Sequence, residues 1–347
     1  MQAFEAALAA LTGRANARRF WRAGRSRSPI VLPVPYEPSQ LRTAYSPDFL
    51  FTLTTDEVRM SAFRRAIEHH GAKRVLEVGC GPWTPLIEMS LKSGAEQVVA
   101  FEASAAHAAA ARRRLERLFG DTTGRRVQVL TGKSTDMEET ALMPFGTKPD
   151  LLVAELLGYT ASEEGAPAVF ADLQRRLGPL PAVPSAAQSL AVPVAPLVLS
   201  RTDVWRNWWV HGGWLSRGQF PPGPALYDCR NFPRELELAE PQVWEEFNFS
   251  NLDQLEAQLQ QDRELVFNLP AGTEVGGLLL WMRAELADGI YIDTRKECTS
   301  WNQYYLHLGP QVIGPDGRLG VSAKVDARTE DVSYEFQVGQ KSYRSHP

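Results

Sequence analysis

The chain has 347 residues, 44% of them hydrophobic and 22% charged, and 37 basic against 41 acidic side chains leave a formal charge of −4. A chain of that size and composition predicts two domains, or one large domain with an appendage, around a substantial core, and it excludes a disordered polymer. The balance of charge gives no electrostatic reason to expect a nucleic-acid or anionic-membrane partner.

No run reaches the roughly 18 apolar residues of a membrane-spanning helix. Cysteines at 80, 229 and 298 are too few and scattered for a disulfide framework or a zinc site, which fits reduced thiols in the cytoplasm.

Along the chain, residues 2–24 carry apolar positions at helical spacing and then Arg-rich positions, without a signal-peptide core. The stretch "RSRSPIVLPVPYEPSQ" (25–40) reads as an extended connector, so 1–44 is an N-terminal helix and linker. A helix is expected from near Thr55, with Asp56 and Glu57 in its first turn and Gly71 closing it. Then come a strand at 74–78, a Gly-rich turn, a helix at 83–93 and a strand at 97–101. The helix "AAHAAAARRRLERLF" and strands at 126–133 and 149–158 follow. Strands alternating with helices predict a parallel, doubly wound sheet over 45–180.

Beyond 180 prolines cluster and strand-like runs take over, at 264–270, 276–286, 304–309, 319–327 and 332–339, with a helix at 251–262. That pattern predicts an antiparallel barrel or sandwich over 181–347. The tract 203–235 contains Trp205, Trp208, Trp209 and Trp214, and reads as an arm, a lid or core.

The Gly-rich turn is "VLEVGCGP". Gly79 and Gly81 at the end of a strand let backbone approach a ligand. Thr84 stands where a dinucleotide fingerprint needs its third glycine, so a pyrophosphate ligand loses ground. Glu77 precedes the turn, and Glu102 ends the next strand 21 residues after Gly81, where an acid accepts the two hydroxyls of a ribose. An adenosine cofactor without a pyrophosphate fits, and S-adenosylmethionine is the expectation.

"VLEVGCGP…VVAFEAS" resembles the class I methyltransferase core. With "FTLTTDEVRMSAFRRAI" before it and "ELLGYTASEE" after it, the chain resembles the protein arginine methyltransferase family over roughly 45–180, and "CTSWNQYYLHLG" is similar to that family's Trp-containing loop. The resemblance implies a Rossmann-like class I methyltransferase domain followed by an antiparallel β-barrel domain, and a homodimer assembled through an arm at the 203–235 tract. It implies that Arg59 holds the cofactor carboxylate. It pairs Glu155 with Glu164, nine residues on, in preference to the adjacent Glu163. Trp301 would wall the acceptor channel, with Ser300 where many members carry His. Tyr159 either lines the same pocket or packs. Thr135 or Asp136 would meet the adenine. Leu53, at the position that crowds the acceptor nitrogen, leaves mono-, symmetric and asymmetric dimethylation open.

Paired acids make chemical sense for this acceptor. A guanidinium is planar, stays protonated to a pKa above about 12 and is a poor nucleophile. Two carboxylates offset its charge against a sulfonium donor, fix its plane, and aim one nitrogen at the methyl group. One of them, or a group nearby, takes the released proton. The expected acceptor is arginine, in a protein or peptide or as the free amino acid. The compact, Ala- and Arg-rich chain, reminiscent of a bacterial genome, without an appended recognition module, inclines toward the small acceptor. A catalytically inactive scaffold and a class I methyltransferase acting on another small-molecule nitrogen are the alternative readings. The six histidines show no metal-ligand pairing, and Cys80 reads as a small filler rather than a nucleophile.

Overall fold

A computed structural model describes residues 30–33, 50, 51, 53–120, 123–198, 220 and 223–345. The helix expected over 2–24 and the tryptophans at 205, 208, 209 and 214 lie outside the described residues. Within the expected connector, Ile30–Pro33 forms a strand, β1, antiparallel to β8 (Ala225–Arg230).

Helix α1 (Glu57–His70) starts as its sequence demands. The Asp56 carboxylate accepts from the Arg59 amide at 3.1 Å as N-cap, and Gly71 ends the helix in the left-handed region. One face, with Phe63, Ala66 and Ile67, is buried at i, i+3 and i+4. The strands that follow are β2 (Arg74–Val78), β3 (Gln97–Glu102), β4 (Val127–Thr131), β5 (Leu151–Ala154) and β6 (Ala182–Val183). They pair in parallel in the order β4-β3-β2-β5-β6. Helices α2 (Pro85–Lys92), α3 (Ala105–Phe119) and α4 (Ala166–Leu177) provide crossovers. Burial on both faces explains why β2, β3 and β5 are near-continuous apolar runs. The parallel sheet extends to Val183, a little past the expected boundary, because β6 pairs with β5.

The rest of the described chain is antiparallel. One sheet runs β1-β8-β13-β11-β7-β9, with β12 (Ile290–Asp293) also on β11; its members include β7 (Ala186–Val194), β9 (Gln242–Asn248), β11 (Glu274–Ala287) and β13 (Gln303–Val312). The second sheet is β10 (Gln260–Asn268), β14 (Arg318–Asp326), β15 (Ser333–Val338) and β16 (Lys341–Arg344). Among the described residues the expected barrel is therefore antiparallel but not closed by a backbone ladder. Where β9 meets β10, the Gln261 amide bonds both the amide and the carbonyl of Glu246, at 3.2 and 2.9 Å, in place of main-chain pairing. Trp244 of β9, fully buried, packs edge-on against Tyr334 and Phe336 of β15 and joins the two sheets through their core.

The helix expected at 251–262 stops at Gln258, and the chain enters β10 at Gln260. There Gln260, Gln261 and Asp262 pair with Asp326, Val325 and Lys324 of β14, and this tertiary pairing overrides the local helical pattern.

Candidate active site

The acid loop leaves the C-terminal end of β5. In a doubly wound sheet that edge is where ligands bind, because the strand ends open into a crevice between crossovers. Glu155 is the first residue past the strand. Its Oε1 accepts from the Trp301 indole N–H at 3.2 Å and pairs with Arg59 Nη1 at 3.3 Å. The Arg59 guanidinium carbon stands 5.3 Å over the Trp301 ring, within cation–π range. Burial raises the Glu155 pKa, Arg59 and the Trp301 hydrogen bond draw it back down, and Asp56 adds to the rise.

Trp301 comes from the loop ahead of β13 and is 5% exposed. Asp56 secures that loop to the other domain: while one of its oxygens caps α1, the other accepts from the Ser300 amide at 2.6 Å. A single carboxylate therefore sets Arg59 and Trp301 relative to each other. The "D-x-V-R" spacing marks Asp56, but its tie to residue 300 is a tertiary contact without a local signal.

Glu163 accepts from the Tyr159 amide of its own loop at 2.6 Å and from the hydroxyl of Tyr304 in the antiparallel domain. Glu164, half-buried, precedes Gly165, which opens α4 at φ +81°. Tyr159 faces the antiparallel sheet: its hydroxyl donates to Asp228 at 3.2 Å, accepts from Asn302 at 3.3 Å, and its ring lies 5.1 Å from that of Tyr304. Burial pushes Asp228 up to about 7 against the pull of Arg230, Tyr159 and Asn302. Sequence reading did not pick out Asp228, Asn302 or Tyr304. Asp228 and Tyr304 lie on strands of a distant part of the chain and Asn302 in the loop just ahead of β13, and only the β8–β13 register, with Tyr304 opposite Asp228, gathers them. Leu53, half-buried, meets Arg59 through its carbonyl, which accepts from Nη2 at 3.0 Å.

The Gly turn follows β2. The Gly81 amide donates to Glu102 Oε2 at 2.9 Å, and the Ser104 amide donates to Oε1 at 2.9 Å. Each oxygen keeps a lone pair for a hydroxyl donor. Gly81 has φ +60°, and a Cβ built on it meets no heavy atom within 4 Å, so the space above the turn is open. Glu77 is 1% exposed and neither carboxyl oxygen has a partner; burial and the charge of Glu102 push its pKa up to about 8. Arg59 Nε and Ser134 Oγ are also buried without partners. Orphaned polar atoms strung along the ends of β2 and β4 beside an open glycine turn fit a ligand that offers both donors and acceptors, as an adenosyl amino acid does. Thr135 turns away to the second domain, donating to Glu330 Oε1 at 3.0 Å, and Asp136 is exposed. Ser134, which sequence reading passed over, is the buried hydroxyl at this edge.

Among the described residues no cluster of His, Cys, Asp and Glu would hold a metal ion, and no helix is long and apolar enough to cross a membrane.

No protein-family model and no curated protein matches the sequence. Solved structures do match. At 18% identity the chain is similar to the PRMT1 enzyme–prozyme heterotetrameric complex with AdoHcy from Trypanosoma brucei, with a TM-score of 0.64 over 85% of this chain and 96% of that one. It is also similar, at 18% identity, to protein arginine methyltransferase 10 of Arabidopsis thaliana in an open conformation, with a TM-score of 0.61 over 86% of this chain and 97% of that one. The likeness spans both the parallel and the antiparallel parts of the fold.

Proposed function

We propose, from a fold shared with protein arginine methyltransferases, that this chain transfers a methyl group from S-adenosylmethionine to a terminal guanidino nitrogen of arginine. The observation that carries the reading is that Glu155 and Trp301 already hold a guanidinium, that of Arg59, by an ion pair and a ring face. An acceptor arginine presents the same group, and the same two side chains suit it.

The cofactor, when bound, supplies an electrophilic methyl group on a sulfonium. Glu102 would receive the ribose hydroxyls, the turn at Gly79 and Gly81 would accommodate the amino-acid portion, and Arg59 Nε would offer a donor to its carboxylate. Ser134, whose hydroxyl is buried without a partner, would meet the adenine, since Thr135 is turned to Glu330. Glu155 and Glu164 are the catalytic pair. They grip the acceptor guanidinium from two sides, offset its charge and fix its plane, so that one nitrogen faces the methyl group. The Trp301 N–H favours the ionised form of Glu155 and orients it, and the indole face suits the acceptor's flat cation. The proton lost from the methylated nitrogen passes to one of the two acids. The chain acts in the cytoplasm as a homodimer in this reading, and light scattering on the purified protein tests the assembly.

The deciding experiment is mass spectrometry of products after incubation with isotope-labelled S-adenosylmethionine and, in separate reactions, free L-arginine and an Arg/Gly-rich peptide. Label on a guanidino nitrogen of either acceptor is the expected result, and its mass gives the methyl count. Glu155→Gln and Glu164→Gln should each lower kcat by at least about 100-fold, the scale of a misplaced reacting group. Wild-type protein that labels neither acceptor, or variants that keep full turnover, would overturn the reading.

A further inference from the structure

Glu245 lies in the middle of β9, in the antiparallel domain, and is 0% exposed. Both its carboxylate oxygens are occupied. Oε1 accepts from the Ala161 amide at 2.9 Å and from Ser189 Oγ at 2.6 Å, and Oε2 accepts from Ser162 Oγ at 2.6 Å. Ala161 and Ser162 belong to the acid loop; Ser189 belongs to β7. Among the described residues its polar contacts are hydroxyls and an amide. Tyr334 completes the group, its hydroxyl 2.9 Å from Thr160 Oγ1 and 3.0 Å from Ser162 Oγ.

We propose that Glu245 is a positioning residue that holds the acid loop in the form that presents Glu155 and Glu164 to the acceptor. The inference rests on the assignment of those two acids as the catalytic pair. In its ionised form a carboxylate only accepts hydrogen bonds, so ionised Glu245 dictates the direction of the bonds around it. Ser162 must donate to Glu245. Its remaining lone pairs then receive the Tyr334 hydroxyl, and Tyr334 receives Thr160. A one-way relay results, Thr160 to Tyr334 to Ser162 to Glu245, and the loop has one arrangement that satisfies it. Such chains polarise one another in a low-dielectric interior.

The grip falls six residues after Glu155 and two before Glu164, so it sets the separation of the two acids. A buried carboxylate without a cation costs stability, and a neutral apolar core would avoid that cost. Burial pushes Glu245 up to about 7 while the serine hydroxyls and the loop amides pull it back. Retaining an acid here is understandable if its job is to impose geometry on the loop.

The test compares full-length wild type with Glu245→Gln, whose amide group places a donor among donors at one of the two oxygens. Tyr334→Phe, which removes the middle of the relay but leaves the carboxylate and the ring, is the second variant. Hydrogen exchange of a peptide covering 157–165 should speed up by about tenfold in both variants, with exchange in β3 and β4 unchanged. Methyl transfer should lose roughly 10- to 100-fold in kcat, as a displaced reacting group does. The dissociation constant for S-adenosylhomocysteine should stay within about twofold, a split that general destabilisation would not produce. Unchanged loop exchange in the variants overturns the proposal, as does a loss of cofactor affinity that matches the loss of kcat. If Glu245→Gln does not fold, Tyr334→Phe decides alone. If the wild type transfers no methyl group, the functional reading falls, and the exchange comparison still decides whether Glu245 sets the loop.

Discussion

At Glu155 several neighbours act on one carboxylate. Burial favours the protonated form, and Arg59 and the Trp301 N–H favour the ionised one. Only the ionised form grips a guanidinium, so the acidic limb of kcat against pH should lie above the ordinary carboxylate range. Trp301→Phe removes the indole donor. A hydrogen bond to a charged group is worth about 1.5–3 kcal/mol, so the limb should move to higher pH and kcat should fall roughly tenfold or more. Steady-state rates across pH at saturating cofactor check this, and an unmoved limb would show that the indole does not tune the acid. Glu77 gives a second prediction at this scale. Its folded pKa, about 8, stands above its ordinary value of 4.5, so between those values the folded protein keeps a proton that the unfolded chain releases. Stability on this account falls as pH rises through that window and is lowest above it. At about 1.4 kcal/mol per unit, the span corresponds to roughly 5 kcal/mol at most. Ligand-free Glu77→Gln should be more stable than wild type at pH 8 in urea, the gap narrowing toward pH 4.5, while S-adenosylhomocysteine binds more weakly. A gap independent of pH would remove the ionisation account.

Two turns show how elements present the site, and their glycines should fail differently. Gly165, between the acid loop and α4, has φ +81°, and a Cβ there would stand 2.8 Å from the Cα of Glu330 in the second domain. Gly81 is as left-handed but has open space around it. Placing an L-residue in that backbone region costs about 1–2 kcal/mol in either turn. Gly165→Ala adds a clash with main chain that cannot swing aside, so it should lower the melting temperature more than Gly81→Ala does, and lower kcat with it. Gly81→Ala should act chiefly on S-adenosylhomocysteine affinity, because its new methyl group enters the open space proposed for the cofactor. Calorimetric melting and titration of both variants separate the two effects, and equal melting losses would argue against the packing of Glu330 on the acid loop.

In the whole molecule, one domain supplies the proposed cofactor edge, and the other supplies the indole and the ties that hold the acid loop. The Arg59–Glu155 pair spans the two requirements, since one partner is assigned to the cofactor and the other to the acceptor. Glu155→Gln releases Arg59 from that pair, so cofactor affinity should survive or rise as turnover disappears. A ligand that binds only the folded state at 100 times its dissociation constant adds about 2.7 kcal/mol of stability. S-adenosylhomocysteine should therefore raise the melting temperature of Glu155→Gln at least as much as that of wild type. A smaller shift in the variant would mean that Glu155 belongs to the cofactor pocket.

The parallel half of the fold was legible because its signals are local. Apolar runs, a cap at Asp56, a closing Gly71 and the glycine turn each lie within a few residues, and the strand bounds 74–78 match β2. The nine-residue spacing of Glu155 and Glu164 was local too. The antiparallel half was legible in kind, through alternation in β14 and β15, and less so in detail. The connector strand β1, the open seam at Gln261 and the short helix at 252–258 all depend on which distant strand is the partner. The same holds for Asp56 on Ser300, Asp228 under Tyr159 and Glu245 beneath the acid loop. Sequence by itself nominated the candidate residues for the chemistry, since charge, glycine freedom and spacing are properties of the chain. Tertiary structure decided how those residues are held, because a buried carboxylate takes its role from the donors that packing brings to it.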